Sequence, residues 1–181
     1  MTIEEEKQEM ESLSETHAGL YLTFALAEEI YGVEILAVQE IMQMTSVTLV
    51  PRTPDFVRGV INLRGKVIPV VDLRLKFGME SIEDTTQSCI VVVDVVAQEQ
   101  SMTMGIVVDR VAEVLDVTAE QIEAPPAFGA AVETNFIRGM GKVGDSVIML
   151  LDIQEVLGRD DMNQISKIGK SKQADKDKIS T

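Results

Sequence analysis

The sequence has no tryptophan, and its tyrosines and phenylalanines bring the aromatic share to only 4%. A core must therefore be aliphatic, and 45% hydrophobic residues in 181 supply enough Val, Ile, Leu and Met for one domain or two small ones. The single cysteine, Cys89, excludes a disulfide within the chain, which suits a reducing compartment. Set in SCIVVVDVV, it reads as a small core hydrophobe rather than a nucleophile. The single histidine, His17, lies in a polar stretch expected to be flexible, without neighbours for a triad or a metal site. Basic residues are scarce, 16 against 30 acidic ones, and a net charge of -14 argues against nucleic acid and anionic membranes as partners. Long hydrophobic runs are missing too. CIVVV and VIMLL fall far short of the ~20 residues of a membrane helix, and the acidic MTIEEEKQEMESLSET lacks the apolar centre of a secretory signal. Cytoplasmic localisation is the expectation.

What is present is a series of short β-branched runs separated by Gly, Pro and Asp: YLTFAL, YGVEI, VTLV, GVINL, KVIPVVDL, SCIVVVDVV, MTMGIVVD and VIMLLDI. Their number points to barrels or a sandwich. Two stretches break the pattern. Val38, Ile41 and Met42 in AVQEIM recur at helical spacing, and Leu73 and Phe77 in DLRLKFGM precede Gly78, so a short helix is expected at each. Residues 1–18 read as an acidic flexible end and 159–181 as a polar one.

The chain also contains an internal repeat. FVRGVINLRGKVIPVVDL aligns without a gap to FIRGMGKVGDSVIMLLDI, matching Phe56/Phe136, Arg58/Arg138, Gly59/Gly139, Val67/Val147, Ile68/Ile148 and Asp72/Asp152. Upstream, YGVEILAVQEI aligns to MGIVVDRVAEV, keeping Gly32/Gly105, Val38/Val111 and Glu40/Glu113. Two matches in the same order indicate one small β unit present twice, roughly over 31–80 and 100–158. Each unit is near the lower size limit for an independent core, which favours packing of one on the other.

GMGKVG satisfies a dinucleotide-binding pattern literally, but strand rather than helix follows it, so its glycines read as hairpin chemistry. Gly65-Lys66 and Gly141-Lys142 do not complete a phosphate loop. No carboxylate pair is singled out by its spacing, and an enzyme is not expected. In GVINLRGKV, Asn62 and Arg64 share the strand face opposite Ile61 and Leu63, so Arg64 points away from its own core, and Gly65 permits a turn. A solubilising charge and an interface arginine both remain open, since exposed ion pairs contribute only ~0–1 kcal/mol while Arg is enriched at binding hot spots.

YGVEILAVQEI, TPDFVRGVINLRGKVIPVVDLR, GIVVDRVAEVLDVTAEQIEAPPAF and FIRGMGKVGDSVIMLLDI together resemble the CheW family, the coupling proteins of bacterial chemotaxis, over residues 20–158. The resemblance implies a mainly β fold of two intertwined five-stranded SH3-like barrels packed together within 19–158, with a few short helices and no cofactor. It implies a non-catalytic adaptor between the cytoplasmic tip of methyl-accepting chemoreceptors and the regulatory domain of the histidine kinase CheA, recruited to receptor arrays at the inner face of the membrane. Receptor contacts would fall on Val38, Glu40, Ile41, Gly59, Asn62 and Arg64, with Cys89 and Ile90 on the adjacent strand, and Glu40 would pair with Arg64 in the free protein. Kinase contacts would fall on Val47, Arg58, Val67, Pro69, Glu123 and Phe128, where the acidic Glu123 departs from the family pattern. A CheW-like adaptor of another pathway, such as surface motility, is the alternative, and a nucleotide-binding enzyme using GMGKVG is a remote one. Equilibrium dialysis separates that last class from the adaptors: neither ATP nor NAD is expected to be retained, and binding of either would reinstate GMGKVG as a phosphate loop.

Overall fold

The structure, a computed structural model, describes residues 3–5, 17–97, 99–126 and 135–156. The acidic start and the polar tail, both expected to be flexible, fall largely outside these residues. The chain forms two compact units, the first drawn from residues 1–36 and 112–156, the second from 37–111.

In the second unit, five strands are ordered β3-β6-β7-β5-β4, where β3 is Val38–Gln43, β4 Val57–Leu63, β5 Lys66–Asp72, β6 Cys89–Ala97 and β7 Gln100–Val108. Ile61, Ile68, Val70, Ile90, Val92 and Val107 form its core, each side chain contributing roughly 1.5–3 kcal/mol on burial. In β6, Val91 and Val93 are fully buried as well, which accounts for an unbroken apolar run in place of alternation. The first unit orders six strands as β8-β1-β2-β11-β10-β9: β1 is Gly19–Leu26, β2 Glu29–Glu34, β8 Arg110–Val117, β9 Ile122–Glu123, β10 Ile137–Val143 and β11 Ser146–Leu151. Tyr21, Val117, Ile122, Ile148 and Leu150 form a core there. Both units are SH3-like barrels. The expected five strands become six in the first because β9, only two residues long, pairs with β10.

The repeat is visible in the pairing registers. β5 lies parallel to β7 with Val70 opposite Gly105, and β11 lies parallel to β2 with Leu150 opposite Gly32. β2 and β5 come from the first sequence copy and β11 and β7 from the second, so in each barrel the parallel pair joins one strand of each copy. The matched Asp residues have a shared job. The amide of Asp72 donates to Phe56 O at 2.7 Å and that of Asp152 to Phe136 O at 2.8 Å, while their carboxylates accept from the amides of Arg74 and Gln154. The first of these bonds caps the short helix α1, Leu73–Lys76. Helix α1 ends as expected: Phe77 and Met79 amides donate to Leu73 O and Arg74 O, and Gly78 takes a φ of 76°.

The helix expected over AVQEIM is not formed. Val38–Gln43 is strand β3, paired antiparallel with β6, and helical geometry is confined to the 3-10 turn Ile35–Ala37 before it. Apolar spacing over six residues fits both periods, and the ladder to β6, with the β-branched Val38 and Ile41, decides for the strand. Among the described residues, no helix is long and apolar enough to cross a membrane.

Each barrel is completed by a close backbone approach at a matched glycine. Thr48 and Val60 exchange two backbone hydrogen bonds of 2.9 Å, joining the segment after β3 to β4. A Cβ on Gly59 would lie 2.0 Å from Thr48 O, and Gly59 has a φ of 139°. In the first barrel a Cβ on Gly139 would lie 3.1 Å from the backbone Glu123 O and 2.7 Å from the Ile122 side chain, and β10 is bulged at this glycine as β4 is at Gly59. Gly59→Ala is therefore expected to destabilise the protein by about 2–4 kcal/mol in urea denaturation. Gly65→Ala, where a Cβ meets nothing within 4 Å, is expected to cost about 1 kcal/mol. Equal costs would show that the approach at Thr48 is not the constraint.

Candidate functional site

Strands β4 and β5 are joined by a two-residue turn in which Arg64 has a φ of 53° and Gly65 a φ of 85°. Positive φ at both positions is the type I′ signature, whose twist matches that of the strands it joins. The side-chain carbonyl of Asn62 accepts from the Gly65 amide at 2.8 Å and stiffens the turn. Arg64 is therefore a turn residue and not a strand residue, and its side chain is 74% exposed. In the second copy its place is taken by Gly144, with a φ of 61°. A left-handed backbone favours glycine by about 1 kcal/mol, so the first copy holds an arginine where glycine would fit better.

Arg64 pairs with Glu40 on β3, as expected for the free protein. These residues sit on strands at opposite ends of the sheet order, brought together because the barrel closes through Thr48 and Val60. A surface pair contributes only ~0–1 kcal/mol, which does not outweigh the strain at Arg64. Around Glu40, β3 presents Ile41, 45% exposed, and the partly buried Val38. A register shift between Val38 and Glu40 interrupts the ladder to β6 there and alters which way the strand directs its side chains. Gln39, which sequence reasoning missed, donates to Asp94 at 2.5 Å and to Thr103 at 3.2 Å. Its partners lie far away in the chain, so no local signal marks it.

The remaining expected receptor residues divide. Cys89 is partly buried and its thiol donates to Gln87 O at 3.2 Å. Ile90 is fully buried in the second unit's core, so its side chain serves packing rather than the surface. Gly59 is buried at the barrel closure and acts through backbone approach.

Among the expected kinase residues, Val47 and Val67 are partly buried and Pro69 is buried in β5. Arg58 is held between Asp72 at 3.0 Å and Asp84 at 2.9 Å and is mostly covered, which gives it a structural task in this state. Leu49, beside the bridging Thr48, is 80% exposed and was not singled out by sequence. It belongs to VTLV, which is expected as a strand but forms only the isolated bridge at Thr48. In the first unit, Glu123 on β9 pairs with Lys142 on β10 at 2.6 Å, so the departure from the family pattern has its countercharge within the chain. Phe128 lies outside the described residues.

GMGKVG lies within β10 and the turn to β11, and strand follows it, so it forms no phosphate-binding loop. No group of three or more His, Cys, Asp or Glu among the described residues is placed to hold a metal ion. His17, expected in a flexible stretch, has a defined setting: its carbonyl accepts from the Tyr21 hydroxyl at 2.6 Å, and Arg138, Glu34 and Asp152 supply charge around its ring.

The family model described as a CheW-like domain matches residues 20–161. The chemotaxis protein CheW of Klebsiella aerogenes is 38% identical over 157 residues, covering 87% of this chain and 92% of its own. CheW of Rhizobium meliloti is 35% identical, with coverage of 75% and 84%. Among solved structures, the scaffolding protein TtCheW from Thermoanaerobacter tengcongensis superposes with a TM-score of 0.68 at 36% identity, covering 77% of this chain and 92% of that one. The duplicated barrels, the NLRG turn and these matches agree, and the chain belongs to the CheW-like family.

Proposed function

We propose that the protein is a non-catalytic chemotaxis adaptor that couples the cytoplasmic tip of methyl-accepting chemoreceptors to the histidine kinase CheA, in the cytoplasm at receptor arrays. Family membership supports the class of function. The observation that carries the site is Arg64, exposed in a left-handed backbone position that its own repeat fills with glycine. A residue kept against its local conformational preference, and making only a weak surface pair, fits a role in binding better than one in folding.

The receptor would use Val38, Glu40, Ile41, Asn62 and Arg64, with Cys89 at the margin and Gly59 and Ile90 as support from behind. Helix-in-groove recognition gives the physics: Ile41 and Val38 supply apolar area, and Arg64 supplies directional, charge-assisted hydrogen bonds. Glu40 holds Arg64 oriented in the free protein, and a receptor offering carboxylates or backbone carbonyls exchanges with it. The kinase would meet Val47, Val67 and Pro69 on the second unit, and Glu123 and Phe128 on the first. Arg58 would join that contact only by sharing its charge with Asp72 and Asp84.

The test is a reconstituted mixture of receptor, kinase and adaptor. Arg64→Glu is expected to abolish receptor-dependent kinase activation while shifting Tm by no more than about 2 °C, as for an exposed side chain. Arg64→Gly relieves the backbone and is expected to hold or raise stability, by up to about 1 kcal/mol, while still weakening activation. Full activation by both variants, or a loss of more than roughly 2 kcal/mol of stability, would remove Arg64 from the binding site.

A further inference from the structure

Leu49 is exposed beside the barrel closure, and Gln39, Asp94 and Thr103 form a small polar cluster. Neither shows what would cover or bind it. His17 has a defined setting in the first unit. Its carbonyl is gripped by the Tyr21 hydroxyl at 2.6 Å, and Tyr21 is fully buried in β1. Its ring is partly buried, and its Nδ1 atom is shielded from solvent without a hydrogen-bond partner. Arg138 on β10 lies nearby, its guanidinium bound to Glu34 at the end of β2 at 2.5 Å and its Nε also buried and unpaired. Asp152, after β11, adds a further negative charge near the ring.

A neutral imidazole suits these surroundings, because a deprotonated Nδ1 is a lone pair and asks for no acceptor. A protonated ring would put an unpaired N–H donor at the shielded Nδ1 and a positive charge beside a guanidinium already bound to Glu34. From this geometry we infer that His17 is a pH-sensitive latch, which docks the start of β1 onto the first unit as a neutral ring and releases it when protonated.

The electrostatic balance agrees in sign. Burial, then Arg138, hold the imidazole below its ordinary 6.5, and Glu34 and Asp152 oppose this only in part. A histidine depressed in the docked state favours docking fully above the undocked pKa and loses that contribution as pH falls below about 6.5.

His17 is the only histidine, so its ring resonances in NMR report one site without assignment ambiguity. In the full chain they are expected to titrate with a midpoint below 6.5. Between pH 7.5 and 5.5, the amide exchange protection of residues 18–20, corrected for intrinsic rates, is expected to fall. Tyr21→Phe removes the grip on the carbonyl, keeps the aromatic core, and should return the midpoint to about 6.5. His17→Gln, neutral throughout, should abolish the pH dependence of protection. A wild-type midpoint at or above 6.5, or protection in His17→Gln that still falls with pH, would overturn the latch.

Discussion

The backbone approach of Thr48 to Val60 is the contact on which the second barrel depends. Five strands hydrogen-bonded in a row have two free edges, and such edges invite pairing with other chains. The two bonds between Thr48 and Val60 join those edges, and the space for them exists because Gly59 has no side chain. The same closure sets Glu40 beside Arg64, although their strands stand at opposite ends of the sheet order. The Glu40–Arg64 pairing is thus a by-product of closing the barrel. The first unit solves the same problem at Gly139 with the two-residue strand β9.

Comparing the copies sorts structural residues from the others. Gly59 and Gly139 stand at closures, and Asp72 and Asp152 tie the hairpin base to the next turn. Arg58 and Arg138 both satisfy carboxylates at that base, although Arg58 takes Asp84 and Arg138 takes Glu34. Where the copies differ, at Arg64 and Gly144, the fold has no common demand. There the more strained choice belongs to the copy that presents a charge.

Much of this was legible in the residues. The β-branched runs, the duplication and a turn at Gly65 followed from local pattern, because strand period and turn chemistry are written in neighbouring positions, whereas Arg64, expected on the strand, is part of that turn. What depended on distant partners was not. AVQEIM matched a helical period and became a strand because β6, about 50 residues later, offered it a ladder. His17 looked isolated because Tyr21, Glu34, Arg138 and Asp152 are gathered around it only by folding. Ile90 could not be told from an exposed neighbour, since an unbroken apolar run hides which face of β6 is covered. The Arg64–Glu40 pair was anticipated from family resemblance rather than from spacing.

The exchange of strands between the copies also has a temporal meaning. The second barrel is built from one continuous stretch, 37–111, whereas the first needs residues from both sides of it. On a ribosome, where the chain emerges from its amino terminus and domains fold as units, the second barrel has all its strands first. β1 and β2 must wait, paired only with each other, until β8 arrives beside β1 and β11 later lies parallel to β2. An isolated two-stranded hairpin is marginally stable at best, so for that interval the amino-terminal strands are the part of the protein most exposed to wrong partners.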